Sequence, residues 1–280
     1  MNGTLYVCGT PIGNLEDITF RCINTLKNAD IIAAEDTRQT VKLLNHYEIK
    51  TPLTSYHEHN KDVKGPKLIG ELKSGKNIAL VSDAGMPGIS DPGEDLIKLC
   101  YEEGVSVTIV PGPTAVITAV VLSGIGARSY CFEGFLPSGK KQRKDILERL
   151  SKETRTMVLY EAPHHLKATL AELYAVLGNR EIAIVKELTK KHENVNKGMF
   201  EDIIAYYDEN EPKGEFVIVI KGLDISEINE EKKASFESMS IEEHLDLYLK
   251  QGMDNKSAMK QVAKDRCVGK REIYSYLNNR

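Results

Sequence analysis

The stretch Val81 to Gly93, V-S-D-A-G-M-P-G-I-S-D-P-G, holds three glycines and two prolines in thirteen residues. A loop of that composition has a fixed backbone shape and few large side chains, so a ligand can come close to its peptide groups. Asp83, Ser90 and Asp91 add polar contacts. Three more stretches have a similar make-up, namely Gly9 to Asn14 (G-T-P-I-G-N), Glu35 to Arg38 (E-D-T-R) and Pro111 to Ala115 (P-G-P-T-A). An isolated Gly/Pro-rich loop is as readily an ordinary tight turn as a ligand site. What decides between the two is where the loops fall in the fold.

Several chemistries are excluded by pattern. The first loop lacks the G-x-G-x-x-G spacing of a dinucleotide fingerprint, and no G-x-x-x-x-G-K-[ST] phosphate loop follows a strand. No G-x-S-x-G nucleophile elbow is present. His57 and His59 stand two apart with no evident third ligand, so no metal is expected. Cys8, Cys22, Cys100, Cys131 and Cys267 are widely spaced and read as reduced residues rather than a disulfide framework. What remains is a small, polar-headed ligand held by backbone groups.

The elements that must position these loops alternate along the chain. Leu5 to Cys8, Ile31 to Ala34, Ile78 to Val81 and Val105 to Val110 read as strands, and each of the four loops begins at the carboxyl end of one of them. Helical patterns fill the gaps, among them Lys67 to Lys73 and a run from Ala115 onward. Such alternation predicts a mainly parallel sheet covered by helices, with ligands bound beyond the carboxyl ends of its strands. Four unusual loops on one edge argue for a ligand site far more strongly than one.

A second α/β domain is expected over 127–222, after a first over 1–126. Its strands are Tyr130 to Phe132, Met157 to Tyr160, Ile182 to Lys186 and Phe216 to Lys221, with helices near Ile146 to Leu150, Leu166 to Leu177 and Phe200 to Tyr207. An extended segment at Asn194 to Gly198 predicts a mixed sheet. Residues 223–239 turn polar, with five acidic residues, and read as a linker. Over 240–280, a capping box at Ser240 to Glu243 opens three short helices with a turn at Val268-Gly269, in the manner of a helix-turn-helix module. Leu245, Tyr248 and Leu249, then Ala258, Val262 and Ala263, then Ile273, Tyr274 and Leu277 mark their apolar faces.

Charge is unevenly placed. Met253 to Arg280 holds seven Lys/Arg against three Asp/Glu in a chain of net charge −4, so a basic tail follows an acidic body. Lys140, Lys141, Arg143 and Lys144 form a second basic stretch, and Lys186, Lys190 and Lys191 a third. Such runs are usually solvated faces, yet two of them fall near the expected ligand edge, where phosphate neutralisation needs local basicity only. No apolar run reaches the roughly 20 residues that span a bilayer. The start, M-N-G-T-L-Y-V-C-G, shows no export-signal pattern, so a cytoplasmic protein is expected.

These residues together resemble a known family. Gly9 to Thr19, Ala34 to Leu44, Ser82 to Gly93, Pro111 to Ala115, Phe132 to Pro137 (F-E-G-F-L-P), Tyr160 to His165 (Y-E-A-P-H-H), Lys186 to Lys190 (K-E-L-T-K) and Gly214 to Val217 (G-E-F-V) are similar, in order, to the bacterial 16S rRNA (cytidine-2′-O)-methyltransferases of the tetrapyrrole methylase superfamily. The resemblance implies the two-domain α/β fold of class III S-adenosylmethionine methyltransferases, with a small all-α, helix-turn-helix-like appendage, and a homodimer. It implies S-adenosylmethionine contacts at Pro11, Ile12, Asp83, Met86, Ile89, Thr114, Ala115, Glu161, Leu188 and Glu215. It also implies 16S rRNA of the small ribosomal subunit as partner, with Arg38, Lys140, Lys141, Arg143, Lys190, Lys270 and Arg271 as RNA-binding candidates. Glu35, Asp36 and Glu161 are the candidates to assist a ribose hydroxyl. Met86 stands where the family commonly has Thr, and His165 where it has Arg. A tetrapyrrole-type small-molecule substrate and a non-catalytic RNA-binding factor are the competing expectations.

Overall fold

The computed structural model describes residues 2–91, 93–224, 236, 239–266 and 268–278. Most of the expected linker, Pro92 and Cys267 lie outside the described residues, as does the side chain of Leu277. The chain divides into two compact units, Met1–Ser151 with Arg155–Lys221, and Lys152–Thr154 with Gly222–Arg280.

In the first unit, β1 (Thr4–Cys8), α1 (Phe20–Asn28), β2 (Ile31–Ala34), α2 (Thr37–His46), β3 (Leu53–Ser55), α3 (Lys61–Lys73), β4 (Ile78–Val81), α4 (Gly93–Glu102) and β5 (Ser106–Val110) build a sheet ordered β3-β2-β4-β1-β5. All its pairings are parallel. The apolar runs of the central strands are covered on both faces, as parallel strands require, and Leu5, Ile32, Ile78 and Ala79 have no exposure, while edge strand β5 is largely exposed. Thr19 and Asp36 cap α1 and α2 by accepting the N–H of Cys22 and of Arg38. Helix α3 begins six residues before the expected Lys67 and carries Pro66 inside it. A proline normally marks a helix boundary because it has no N–H to return to the preceding turn. Here Leu68, Ile69 and Leu72 are buried behind it and hold the helix across the gap.

Helices α1 and α2 pack Cys22, Leu26 and Leu44 on one face of the sheet. Helices α3 and α4 pack Leu68, Leu72, Leu96 and Cys100 on the other. Strand β4 lies between β2 and β1, and its outgoing connection leaves on the face opposite to theirs. The loop from Ser82 to Gly93 therefore sits at a topological switch point, where open α/β sheets bind ligands.

Helix α5 (Ala115–Ser123) then leads to β6 (Tyr130–Phe135), α6 (Lys140–Leu150), β7 (Thr156–Glu161), α7 (Leu166–Leu177), β8 (Glu181–Lys186), β9 (Asn194–Met199), α8 (Phe200–Glu209) and β10 (Phe216–Ile220). The second sheet runs β6-β7-β10-β8-β9. Only β6 and β7 pair in parallel, so it is mixed, as expected from the extended segment at Asn194. Its central strand β10 is buried along its whole length. Helices α6, α7 and α8 cover one face with Leu150, Leu170, Phe200 and Ile203. The other face is covered by α5, whose Val116, Ala119 and Val120 pack on Val158, Ala183 and Val219. So α5, which in sequence precedes the expected boundary at 126, belongs by packing to the second sheet. Among the described residues no helix is long and apolar enough to cross a membrane.

The second unit contains α9 (Ile241–Lys250), α10 (Asn255–Asp265) and α11 (Lys270–Asn278). Ser240 and Glu243 form the expected capping box, and Leu245, Ala258, Met259, Val262, Ala263 and Ile273 make the core. Tyr274, expected on an apolar face, is instead 54% exposed, while its neighbour Ile273 is buried. His244 is fully buried and stacks on Phe236 at 3.9 Å. Its Nδ1 accepts from Arg266 Nε at 3.2 Å, and its Nε2 lies 3.5 Å from Asp265, which also accepts from Tyr248. Burial first, and then the Arg266 charge, hold the His244 pKa below its ordinary value, against the opposing pull of Asp265. A lowered folded-state pKa means the unfolded chain binds the proton more readily. The contribution of this network is therefore complete above about pH 6.5 and falls away as pH drops through the lowered value. Hydrogen-exchange protection of the α9 and α10 amides, corrected for intrinsic rate, should fall as the pH is taken from above that value to below it, and His244→Phe should lose that dependence.

Candidate active site

The loops at the carboxyl edge of the first sheet are joined to one another by backbone. Thr10 and Gly85 exchange hydrogen bonds across the first and third loops, at 2.9 Å and 3.2 Å. The Thr10 hydroxyl adds a contact to Ser82 O at 3.2 Å. Asp36 N–H donates to Asp83 Oδ1 at 3.0 Å, and Asp91 Oδ1 accepts from the N–H of Gly88 and of Gly93, each at 2.8 Å. The Ser82 to Gly93 loop is thus closed on itself and tied to both neighbours.

A cavity of about 360 Å³ lies between these loops and the ends of β7, β8 and β10. Its apolar walls come from Ile12, Met86, Ala115 and Val116 on one side and from Val185, Leu188 and Val217 on the other. Glu161, Glu215 and Thr114 supply polar groups. Among the residues expected to hold a cofactor, Ile12, Met86, Ile89, Thr114, Ala115, Glu161, Leu188 and Glu215 line it, whereas Pro11 and Asp83 do not. Pro11 is buried within the first loop, and Asp83 is turned to the Asp36 N–H.

The three candidate carboxylates part company. Glu161 lines the cavity and is buried; its Oε1 accepts from Ala162 N–H at 2.8 Å and its Oε2 from Thr169 Oγ1 at 2.5 Å. Glu35 and Asp36 stand outside the lining. Burial, followed by the charges of Asp83 and Asp91, raises the pKa of Glu35. Asp36 is held down to about 2 by the hydrogen bonds of Arg38.

The expected RNA-binding residues also divide. Arg38 is committed to Asp36, although its side chain is 88% exposed. Arg143 donates to Glu172 at 2.5 Å and to Thr169 Oγ1 at 2.8 Å, which makes it the outer end of a chain, Arg143–Thr169–Glu161, that reaches the cavity wall. Lys190 donates to Glu187 at 3.1 Å and to Glu215 at 2.8 Å. Burial opposes its charge, but the two carboxylates outweigh it and raise its pKa. In Glu187 burial is likewise outweighed, by the Glu215 N–H and Lys190, and its pKa is lowered. Lys140, Lys141, Lys270 and Arg271 are exposed. His165 occupies the N-cap position of α7 and lies outside the lining, while Ala162 and Pro163 before it are within.

Residues 4–204, which carry the first sheet and all of the second except β10, match the family model described as Tetrapyrrole (Corrin/Porphyrin) Methylases. The chain belongs to the tetrapyrrole methylase family. A Bacillus subtilis protein named ribosomal RNA small subunit methyltransferase I is 50% identical over 97% of this chain and 93% of its own length. One of the same name from Halalkalibacterium halodurans is 50% identical over 98% and 94%. A Thermus thermophilus structure of uroporphyrin-III-C-methyltransferase superposes with a TM-score of 0.56, at 19% identity over 78% of this chain and 94% of that one, a likeness of fold.

The protein is accordingly a methyltransferase that takes S-adenosylmethionine as its methyl donor. The cavity fits that donor in kind. Its apolar walls suit a purine face, and two carboxylates suit a molecule that carries both a sulfonium and an ammonium charge.

Phe135, Tyr160 and Val217 also line the cavity, and sequence reasoning did not single them out. All three lie inside motifs that carry the family resemblance, Phe135 within Phe132 to Pro137, but nothing in strand alternation marks which residue faces a neighbouring loop. A tight contact closes the same region. A Cβ placed on Gly13 would lie 2.6 Å from Lys190 Cγ and 2.8 Å from both Leu188 O and Thr189 Oγ1. The turn it meets is itself strained, with Glu187 at φ 51° and Thr189 at φ 62°. Gly13→Ala should therefore weaken donor binding, read by calorimetry, and cost about 1–3 kcal/mol of stability, seen as a fall in the thermal midpoint.

Proposed function

We propose that the protein transfers the methyl group of S-adenosylmethionine to the ribose 2′-hydroxyl of a cytidine in the decoding region of 16S rRNA, acting on the small ribosomal subunit in the cytoplasm. The observation that carries the reading is the 50% identity, across nearly the whole of both chains, to the relative named for small-subunit rRNA methylation. The exposed Lys140 and Lys141, which follow the cavity-lining Phe135 in sequence, support it, as do Lys270 and Arg271 on the second unit. In that unit three of the acids have internal duties: Asp254 caps α10, Glu243 completes the capping box, and Asp265 joins Tyr248 and Gln261. Lys256, Lys260, Lys264, Lys270 and Arg271 are left exposed without a carboxylate partner among the described residues, which suits a phosphate backbone.

When bound, the donor supplies an electrophilic methyl on a positively charged sulfur. The chain's own part is placement, because in-line displacement depends on alignment. Ile12, Leu188 and Val217 exclude water from the donor's apolar part. Glu161 is held rigidly by Ala162 N–H and Thr169, and on this reading it is the group that takes up a hydrogen bond or proton from the attacking hydroxyl. Methylation of unmodified small subunits, mapped at nucleotide resolution, tests the function, and absence of a 2′-O-methyl product would overturn it. Glu161→Gln should lower kcat about 100-fold or more, within the range of a lost acid–base group, while Asp36→Asn leaves kcat within a few-fold.

The homodimer belongs to the same proposal. Edge strand β5 and helix α5 leave Ile109, Ile117, Val121 and Leu122 at least 42% exposed, and Phe20 beside them on α1 is 89% exposed. The Arg21 side chain donates to Ile109 O at 3.0 Å and so holds α1 against that edge. Apolar exposure of this kind fits a self-association surface. Light scattering after size exclusion should give a dimer for the native chain, and a monomer for the double variant Ile109→Glu with Val121→Glu.

A further inference from the structure

Strand β6 contains an irregularity that re-aims one side chain. Phe132 and Phe135 are three positions apart, and in a regular strand an odd separation puts two side chains on opposite faces. Both rings nevertheless meet Tyr160, at centroid distances of 5.0 Å and 5.5 Å. The register of β6 on β7 slips between Phe132 and Gly134, and Gly134 takes φ 65°, a left-handed conformation that a side chain would resist. The extra residue of this bulge turns Phe135 to the Tyr160 side, the kind of correction bulges make beside active sites.

The result is an aromatic ring that lines the donor cavity and is still 58% exposed. The other exposed large apolar residue of the lining is Ile89, at 43%, on the Ser82 to Gly93 loop. The two stretches approach one another, since a Cβ on Gly134 would lie 3.6 Å from Ser90 Oγ. From Phe135 the chain runs directly into Lys140 and Lys141, both exposed and without a carboxylate partner among the described residues.

We propose that Phe135 is a stacking platform for the nucleobase of the nucleotide being methylated, which makes the cavity mouth a nucleobase subsite. The proposal rests on the rRNA reading above. A nucleotide that leaves the stack of the RNA can bring its ribose hydroxyl to a donor held inside the cavity, and the stacking lost there must be replaced. An aromatic face does this for any base, and cations just beyond it take the flanking phosphates. The bulge puts the aromatic face in the cavity lining, and Lys140 and Lys141 follow it at the start of α6.

The test compares Phe135→Ala, Phe135→Leu and Phe135→Tyr in the full-length protein, with unmodified small-subunit particles as substrate and S-adenosylmethionine binding measured separately by calorimetry. Ala and Leu should lower kcat/KM for the particles about 5- to 150-fold, the worth of one stacked base, and Tyr should restore it. Donor Kd should stay within about two-fold in all three. Three results overturn the proposal: unchanged kcat/KM in Phe135→Ala; donor affinity falling as far as kcat/KM, which would assign the ring to the donor; or Phe135→Leu matching the native protein, which would leave only apolar bulk. If the native protein binds donor but methylates no particle, the rRNA reading fails and this one with it. If the native protein is active and the variants are unaffected, only the stacking platform is lost.

Discussion

The site depends on backbones being allowed to touch. A Cβ on Gly9 would lie 2.7 Å from the backbone of Gly112, and one on Gly13 would run into the turn at Leu188 and Thr189. These contacts tie the loops of the first sheet to one another and to the second sheet, and the cavity is the space left between them. Because Gly9 meets Gly112 backbone against backbone, and Gly13 meets the Leu188 carbonyl beside the Thr189 and Lys190 side chains, the walls can be set by a few short loops. Met86 shows the consequence: its sulfur occupies the space over Gly9 that a side chain there would fill, so a flexible thioether serves as wall where a larger first-loop residue would obstruct.

Charge around the cavity is divided into separate groups. Glu161 is fixed by a threonine hydroxyl that in turn accepts from Arg143, so a cation outside the cavity steadies an anion in its wall without entering it. Glu187 and Glu215 share Lys190, which leaves Glu215 anchored yet open to the cavity. The repulsion among Glu35, Asp83 and Asp91 is kept at the neighbouring loop, where backbone N–H groups answer Asp83 and Asp91.

Much of this was legible in the residues. The βα alternation, the mixed character of the second sheet and the gathering of four loops on one edge follow from apolar periodicity and from Gly/Pro placement, and eight of the ten expected donor contacts line the cavity. What was not legible has a common cause. Helix α3 runs through Pro66 because tertiary burial overrides a local breaker. Arg143 and Lys190 read as free cations, but partners far away in sequence, Thr169 and Glu215, claim them. Phe135 is hidden by a bulge, since counting by twos assigns it to the wrong face. Each depends on a contact between distant segments, which local pattern cannot encode.

Helix α5 joins the two sheets in a way that chain order conceals. It is connected covalently to the end of β5, yet its Val116, Ala119 and Val120 are buried in the second sheet. A break in the chain just after this helix would strand it with the wrong half, leaving both it and one face of the second sheet bare to water. The two sheets therefore share this helix in one compact unit, and the cavity between their loops depends on both being folded.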